Sequence, residues 1–173
     1  MSLPFESTVD FARACEQELS FDVRIPAGDL PRLAALGALR GPARACFAFY
    51  RDLQGLDTVA GEISCEIGLI CQRCAGDLTL RLSAAFSSTP DREKARSLRL
   101  EDKLDLVELN EAGRFELLAF LEDCLLLEVP YVPRHEEGDP ACRPAGDRVF
   151  GALPPGAGPF AGLARLKRGR DGD

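Results

Sequence analysis

The chain has no tryptophan, a single histidine and only two tyrosines among its 173 residues. A core built from it must be aliphatic, with the ten phenylalanines as its main aromatics. One histidine, His135, limits Ser-His-Asp and Cys-His chemistry. No Walker loop, G-x-G-x-x-G turn, H-E-x-x-H helix or nucleophile elbow occurs, so the common nucleotide, zinc-protease and hydrolase signatures are excluded. No apolar run approaches the roughly 20 residues that span a bilayer. Residues 1–14 lack the basic start and apolar stretch of a secretory signal. A cytoplasmic chain without membrane association is expected. The basic excess of a bare RNA-binding domain is missing too: net charge is −7 and the pI is near 4.9. No internal repeat is evident.

What is present suits one packed domain over residues 1–173, with 46% hydrophobic residues. The acidity is concentrated. Residues 101–128 hold Glu101, Asp102, Asp105, Glu108, Glu111, Glu116, Glu122, Asp123 and Glu128, against Lys103 and Arg114 alone. Such a block reads either as a solvated face or as a docking surface for a basic protein, with Glu122 and Asp123 as the docking candidates. Adjacent helix residues do not face each other, so these two carboxylates make a poor acid–base pair.

Periodicity predicts a helix over 7–18, capped by Ser7 or Thr8, then a strand over 19–25 with Leu19, Phe21, Val23 and Ile25 on one face. A second helix is expected over 29–39, capped by Asp29 and ended by Gly41-Pro42. Three strands follow. Ala45, Phe47 and Phe49 alternate in the first; Ile63, Cys65, Ile67 and Leu69 share a face of the second, over 59–71; Leu78, Leu80 and Leu82 face inward from the third. The short Gly-containing link between the last two predicts an antiparallel hairpin. Residues 87–103 read as an exposed charged loop, 104–109 as a short strand and 114–128 as a helix. From residue 134 the chain is rich in Pro and Gly, a loop-rich wrap ending in a basic tail. The fold class expected is α+β: an antiparallel sheet with flanking short helices and an irregular C-terminal segment.

Seven cysteines in a reducing compartment favour metal binding or burial over disulfides. Cys71 and Cys74 form a C-x-x-C pair on a tight turn, the knuckle by which two thiolates reach one tetrahedral ion. His135 and Cys142 can complete a structural zinc site of three thiolates and one imidazole, although their spacing of seven is wider than most half-sites. The same residues could instead be reduced thiols and an ordinary loop histidine, or a redox dithiol, which is best served at a helix N-terminus. Cys15, Cys46, Cys65 and Cys124 fall on apolar patterns and read as buried. Arg92, Lys94, Arg96 and Arg99, with Arg165, Lys167, Arg168 and Arg170 in the tail, are candidate RNA contacts or simply solvated cations.

Several segments together resemble the YceD-type family of large ribosomal RNA subunit accumulation proteins. They are Cys71-Gln-Arg-Cys74, then Val107-Glu108-Leu109-Asn110-Glu111, Leu121-Glu122-Asp123, Leu127-Glu128-Val129-Pro130, Val132-Pro133-Arg134-His135 with Cys142, Val149-Phe150-Gly151 and Pro159-Phe160-Ala161, in that order. The resemblance implies a ribosome biogenesis factor, not an enzyme, supporting 23S rRNA accumulation and large-subunit assembly. Its implied partners are 23S rRNA or its precursor and large-subunit ribosomal proteins. The acidic block motivates a competing reading, an RNA-processing enzyme using a carboxylate-bound metal.

Overall fold

Three long runs of alternating polarity dominate the middle of the chain, and they become the centre of one sheet. The computed structural model of the protein describes residues 6–100 and 103–142. Its elements are α1 (Phe11–Glu16), β1 (Ser20–Ile25), α2 (Pro31–Leu36), β2 (Ala38–Leu39), β3 (Ala43–Arg51), β4 (Asp57–Ile70), β5 (Asp77–Thr89), α3 (Arg92–Ser97), β6 (Asp105–Leu106) and α4 (Leu117–Leu127). The sheet order is β1-β3-β4-β5-β6, with β2 also paired to β4. All pairings are antiparallel except β5 with β6, so the expected antiparallel sheet is mixed at one edge.

Period-two alternation sends one set of side chains to each face. Ala43, Ala45, Phe47 and Phe49 of β3, Ile63, Cys65, Ile67 and Leu69 of β4, and Leu82, Ala84 and Phe86 of β5 are buried together. Helices α1 and α4 close this face. In α4, Leu117, Leu121 and Leu125 recur every four residues and are fully buried; each such burial is worth about 1.5–3 kcal/mol. Phe11 of α1 meets Phe49 and Phe115 edge-on, with centroids 5.3 Å away in both cases, and Phe86 meets Phe120 at 5.1 Å. The opposite face of the sheet, which carries Arg24, Arg44, Glu66, Arg81 and Ser83, is open to solvent.

Tertiary contacts shorten both early helices. The first begins at Phe11 rather than residue 7, capped by Asp10, whose carboxylate accepts from the Arg13 amide at 3.1 Å. Ser7 and Thr8 do not cap it, because Val9 is drawn into a two-way backbone bridge with Phe115, at 2.8 Å in each direction. The second ends at Leu36, not 39. Gly37 is extended, and residues 38–39 pair with Gly68 and Ile67. A β-carbon at Gly37 would sit 2.2 Å from the Gly68 carbonyl oxygen, so only glycine lets the two backbones approach. The expected charged loop over 87–103 is also more ordered: β5 runs to Thr89, and α3 is capped by Asp91, which accepts from the Lys94 amide at 2.9 Å. Cys15 and Cys65 are buried as expected and Cys124 is half-buried, but Cys46 is exposed. It lies between inward-facing Ala45 and Phe47, so the pleat turns it outward. Among the described residues no helix is long and apolar enough to cross a membrane.

Candidate metal centre

Strands β4 and β5 meet in the turn that carries Cys71-Gln-Arg-Cys74. The Cys71 amide donates to the Gly76 carbonyl at 2.9 Å and the Ala75 amide to the Cys71 carbonyl at 2.9 Å. Ala75 takes the left-handed conformation that reverses the chain, φ 56°. This tightness puts both sulfurs on one side. The segment after α4 returns to the same place: the Gln72 amide donates to the Pro133 carbonyl at 2.8 Å. That bond is one of several contacts that set His135 and Cys142 against the turn.

The four side chains converge. One ligand atom from each of Cys71, Cys74, His135 and Cys142 lies within 4.8 Å of every other. A tetrahedral ion held at about 2.3 Å by sulfur and about 2.0 Å by nitrogen sets S···S spacings of roughly 3.8 Å and S···N spacings of roughly 3.5 Å. Here Cys71 Sγ lies 4.0 Å from Cys142 Sγ, and Cys74 Sγ lies 3.5 Å from His135 Nδ1. His135 Nε2 is 3.0 Å from the Asp77 carbonyl oxygen. A carbonyl only accepts, so Nε2 carries the proton and Nδ1 presents its lone pair to the sulfurs. Donor type, spacing and tautomer all fit a metal such as zinc. Among the described residues this is the one group of three or more such side chains that could hold an ion.

Arg73, between the two knuckle cysteines, completes the arrangement. Its Nε donates to Cys142 Sγ at 3.0 Å, and its Nη2 donates to the His135 and Glu136 carbonyls at 3.1 and 2.9 Å. Three thiolates around a divalent ion would leave one net negative charge, which the guanidinium would offset. Burial pushes the Cys71 thiol up, but amides from His135, Cys74 and Arg73 outweigh it and bring the thiol down to about 5. The Cys142 and Cys71 sulfurs hold the His135 imidazole above its ordinary value. Sequence reasoning missed Arg73 because a C-x-x-C pattern places no demand on its middle residues.

The expected docking pair behaves differently. Glu122 is only 3% exposed. Its Oε1 accepts from the Arg32 and Leu33 amides at 2.7 and 3.0 Å, and its Oε2 accepts from Arg32 Nε at 2.8 Å. It caps the start of α2, the role foreseen for Asp29, and is not a surface docking carboxylate. Asp123 is exposed but is bound to Arg32 Nη1 at 2.5 Å. Of the candidate RNA contacts, Lys94 donates to the Gly55 carbonyl and Arg92 lies 4.0 Å from Glu108. Arg96 and Arg99 are exposed on and just after α3. Arg165, Lys167, Arg168 and Arg170 lie outside the described residues, as does most of the expected C-terminal wrap.

Comparison with known proteins follows the same segments. The family described as large ribosomal RNA subunit accumulation protein YceD matches residues 59–167. A protein of that name from Haemophilus influenzae is 31% identical over 167 residues, covering 93% of this chain and 95% of the relative. No solved structure matches.

Proposed function

Because the chain belongs to the YceD family of large ribosomal RNA subunit accumulation proteins, we propose that it is a cytoplasmic ribosome biogenesis factor supporting 23S rRNA accumulation and large-subunit assembly. Its partners are 23S rRNA or its precursor and, alongside it, large-subunit ribosomal proteins. The observation that carries this reading is the likeness to the Haemophilus influenzae protein along 93% of the chain. Depleting the protein in its host and measuring 23S against 16S rRNA tests it: a selective fall in 23S supports the reading, and an unchanged ratio sinks it.

The four-donor group fits a structural zinc ion held by Cys71, Cys74, His135 and Cys142. Four protein ligands complete a tetrahedron and leave no open position for water, the arrangement of a structural rather than a catalytic site. The ion would tie the segment after α4 to the β4–β5 turn. Elemental analysis of untagged protein should find one zinc per chain; a content near zero would end this assignment. We read the chain as a factor, not an enzyme. The competing nuclease reading drew on the acidic block, and Glu122 is occupied by the start of α2. Incubation of 23S precursor with the protein and magnesium should give no cleavage.

A further inference from the structure

The open face of the sheet carries an arginine cluster in a protein of net charge −7. Registers place Arg24 opposite Arg44, Arg44 opposite Ser64, and Ser64 opposite Ser83, so one rung crosses β1, β3, β4 and β5 on the outward face. The neighbouring rung sets Glu66 opposite Arg81, and the Arg40 amide donates to the Glu66 carbonyl at 2.9 Å, which brings Arg40 alongside. Arg40, Gly41, Pro42, Arg44, Ser64 and Arg81 line a shallow groove of about 220 Å³ between the rungs.

Neighbouring strands are about 4.8 Å apart, so the four guanidinium groups share a patch only a few strands wide. All four arginines are exposed. Among the described residues none of them has a carboxylate within ion-pair distance, in contrast to Arg32, Arg51 and Arg114. Glu66 is the one acidic side chain in the groove, and Asp22 and Glu62 stand one rung further along the same face. The fold keeps Arg40 low on the sheet: a β-carbon at Gly68 would lie 2.7 Å from its guanidinium nitrogen, so glycine there lets the side chain lie flat. Cations gathered on a surface raise the local positive potential and draw an anion to it. Planar forks suit phosphate oxygens, and the serine hydroxyls between them add donors.

We propose that this open sheet face is an RNA-binding platform, with Arg24, Arg40, Arg44 and Arg81 contacting backbone phosphates. The platform rests on the ribosomal RNA reading above and locates its contact surface. It is distinct from the α3 cations. Asp22, Glu62, Glu66 and Asp77 share the face, but Glu66 alone lies in the groove, where Arg40, Arg44 and Arg81 outnumber it, so the groove is locally positive in an acidic protein. Recognition is of the backbone, since the groove is lined by arginines, Ser64 and small residues; the exposed Tyr50 of the same face lies outside it.

The test uses the full chain purified with zinc and a fluorescein-labelled short transcript of 23S sequence, titrated at several salt concentrations. R44A/R81A is expected to weaken binding at least about tenfold and to flatten the plot of log K against log salt by about 0.7–0.9 per arginine removed. R44K/R81K keeps the charge and should stay within a few-fold of wild type, which separates lost contacts from lost folding. R92A/R99A, on and after α3, should bind as wild type. Unchanged affinity and slope in R44A/R81A overturns the platform, as does loss confined to R92A/R99A. So does tight capture of poly-glutamate with no binding of the transcript, which would make the partner an acidic protein. A wild-type chain that ignores the transcript while its depletion still lowers 23S rRNA refutes the platform alone; depletion without effect refutes the parent reading.

Discussion

Glu122 shows how one buried carboxylate joins two elements. It accepts from two amides at the start of α2 and from Arg32, while Asp123 beside it holds the same arginine at the surface. Glu122→Ala should cost about 2–3 kcal/mol, the sum of a lost cap and a buried amide left without a partner. Glu122→Gln keeps one acceptor and should cost about half of that, and Asp123→Asn, an exposed pair, under about 1 kcal/mol. Urea unfolding followed by circular dichroism ranks the three. Equal losses at both positions would contradict the capping role. Thiol chemistry gives a second test. Cys46 is exposed, whereas Cys15 is buried, and burial together with the charge of Asp57 pushes its thiol up to about 11. In the zinc-loaded chain Cys46 should react quickly with a thiol reagent, and Cys71, Cys74 and Cys142 only after chelation. Mass mapping of the labelled residues checks the order.

The β4–β5 turn and the segment from Val132 to Cys142 work as one element, joined by a backbone bond, a histidine and an arginine. Arg73→Ala removes the donor on Cys142 without removing a ligand, and it should weaken zinc about 10–100-fold, as expected for a residue that orients ligands. Competition with a chromogenic chelator measures this; unchanged affinity would show that Arg73 is a bystander. Acid should release the ion. Ligand thiols must be deprotonated to bind. The folded Cys71 thiol is lowered to about 5, so its thiolate is present above that pH and is lost as pH falls through it. Cys74 is shifted the other way: the Gly76 amide lowers its thiol, but burial and the Cys71 and Cys142 sulfurs outweigh that amide and push the thiol up. Zinc retention should therefore fall as the pH is lowered and the thiols regain their protons, with the released metal read by the same dye.

At the scale of the whole molecule the candidate metal centre stands outside the main core. That core is built from α1, α4 and the inner sheet face, through Phe11, Phe47, Ile63, Leu121 and Leu125 among others, and includes none of the four candidate ligands. Chelation should then leave the strand signal and cooperative melting in place. It should also speed trypsin cleavage after the already exposed Arg134, because the anchored segment is freed. Global unfolding on chelation would show that the ion sustains the sheet as well. Much of this was legible beforehand. The inward sets of β3, β4 and β5 follow from alternation. The four candidate ligands could be named from donor chemistry and the tight C-x-x-C turn, against the wide spacing of His135 and Cys142, and the structure brings them together. The helix limits at residues 7–18 and 29–39 were not legible, because Val9 meets Phe115 and residues 38–39 meet β4 across long stretches of sequence.

The sequence by itself determined an aliphatic α+β domain, a knuckle turn with two further donors downstream, and an ordered series of family segments. Local periodicity and residue chemistry are enough for each of these. Only the tertiary structure decided that Glu122 is a buried cap, that Arg73 braces the cysteines, and that Arg24, Arg40, Arg44 and Arg81 gather on one open face. Those arginines are up to 57 positions apart in the chain, and strand register alone makes them neighbours, since no local pattern encodes which residues pair across a sheet.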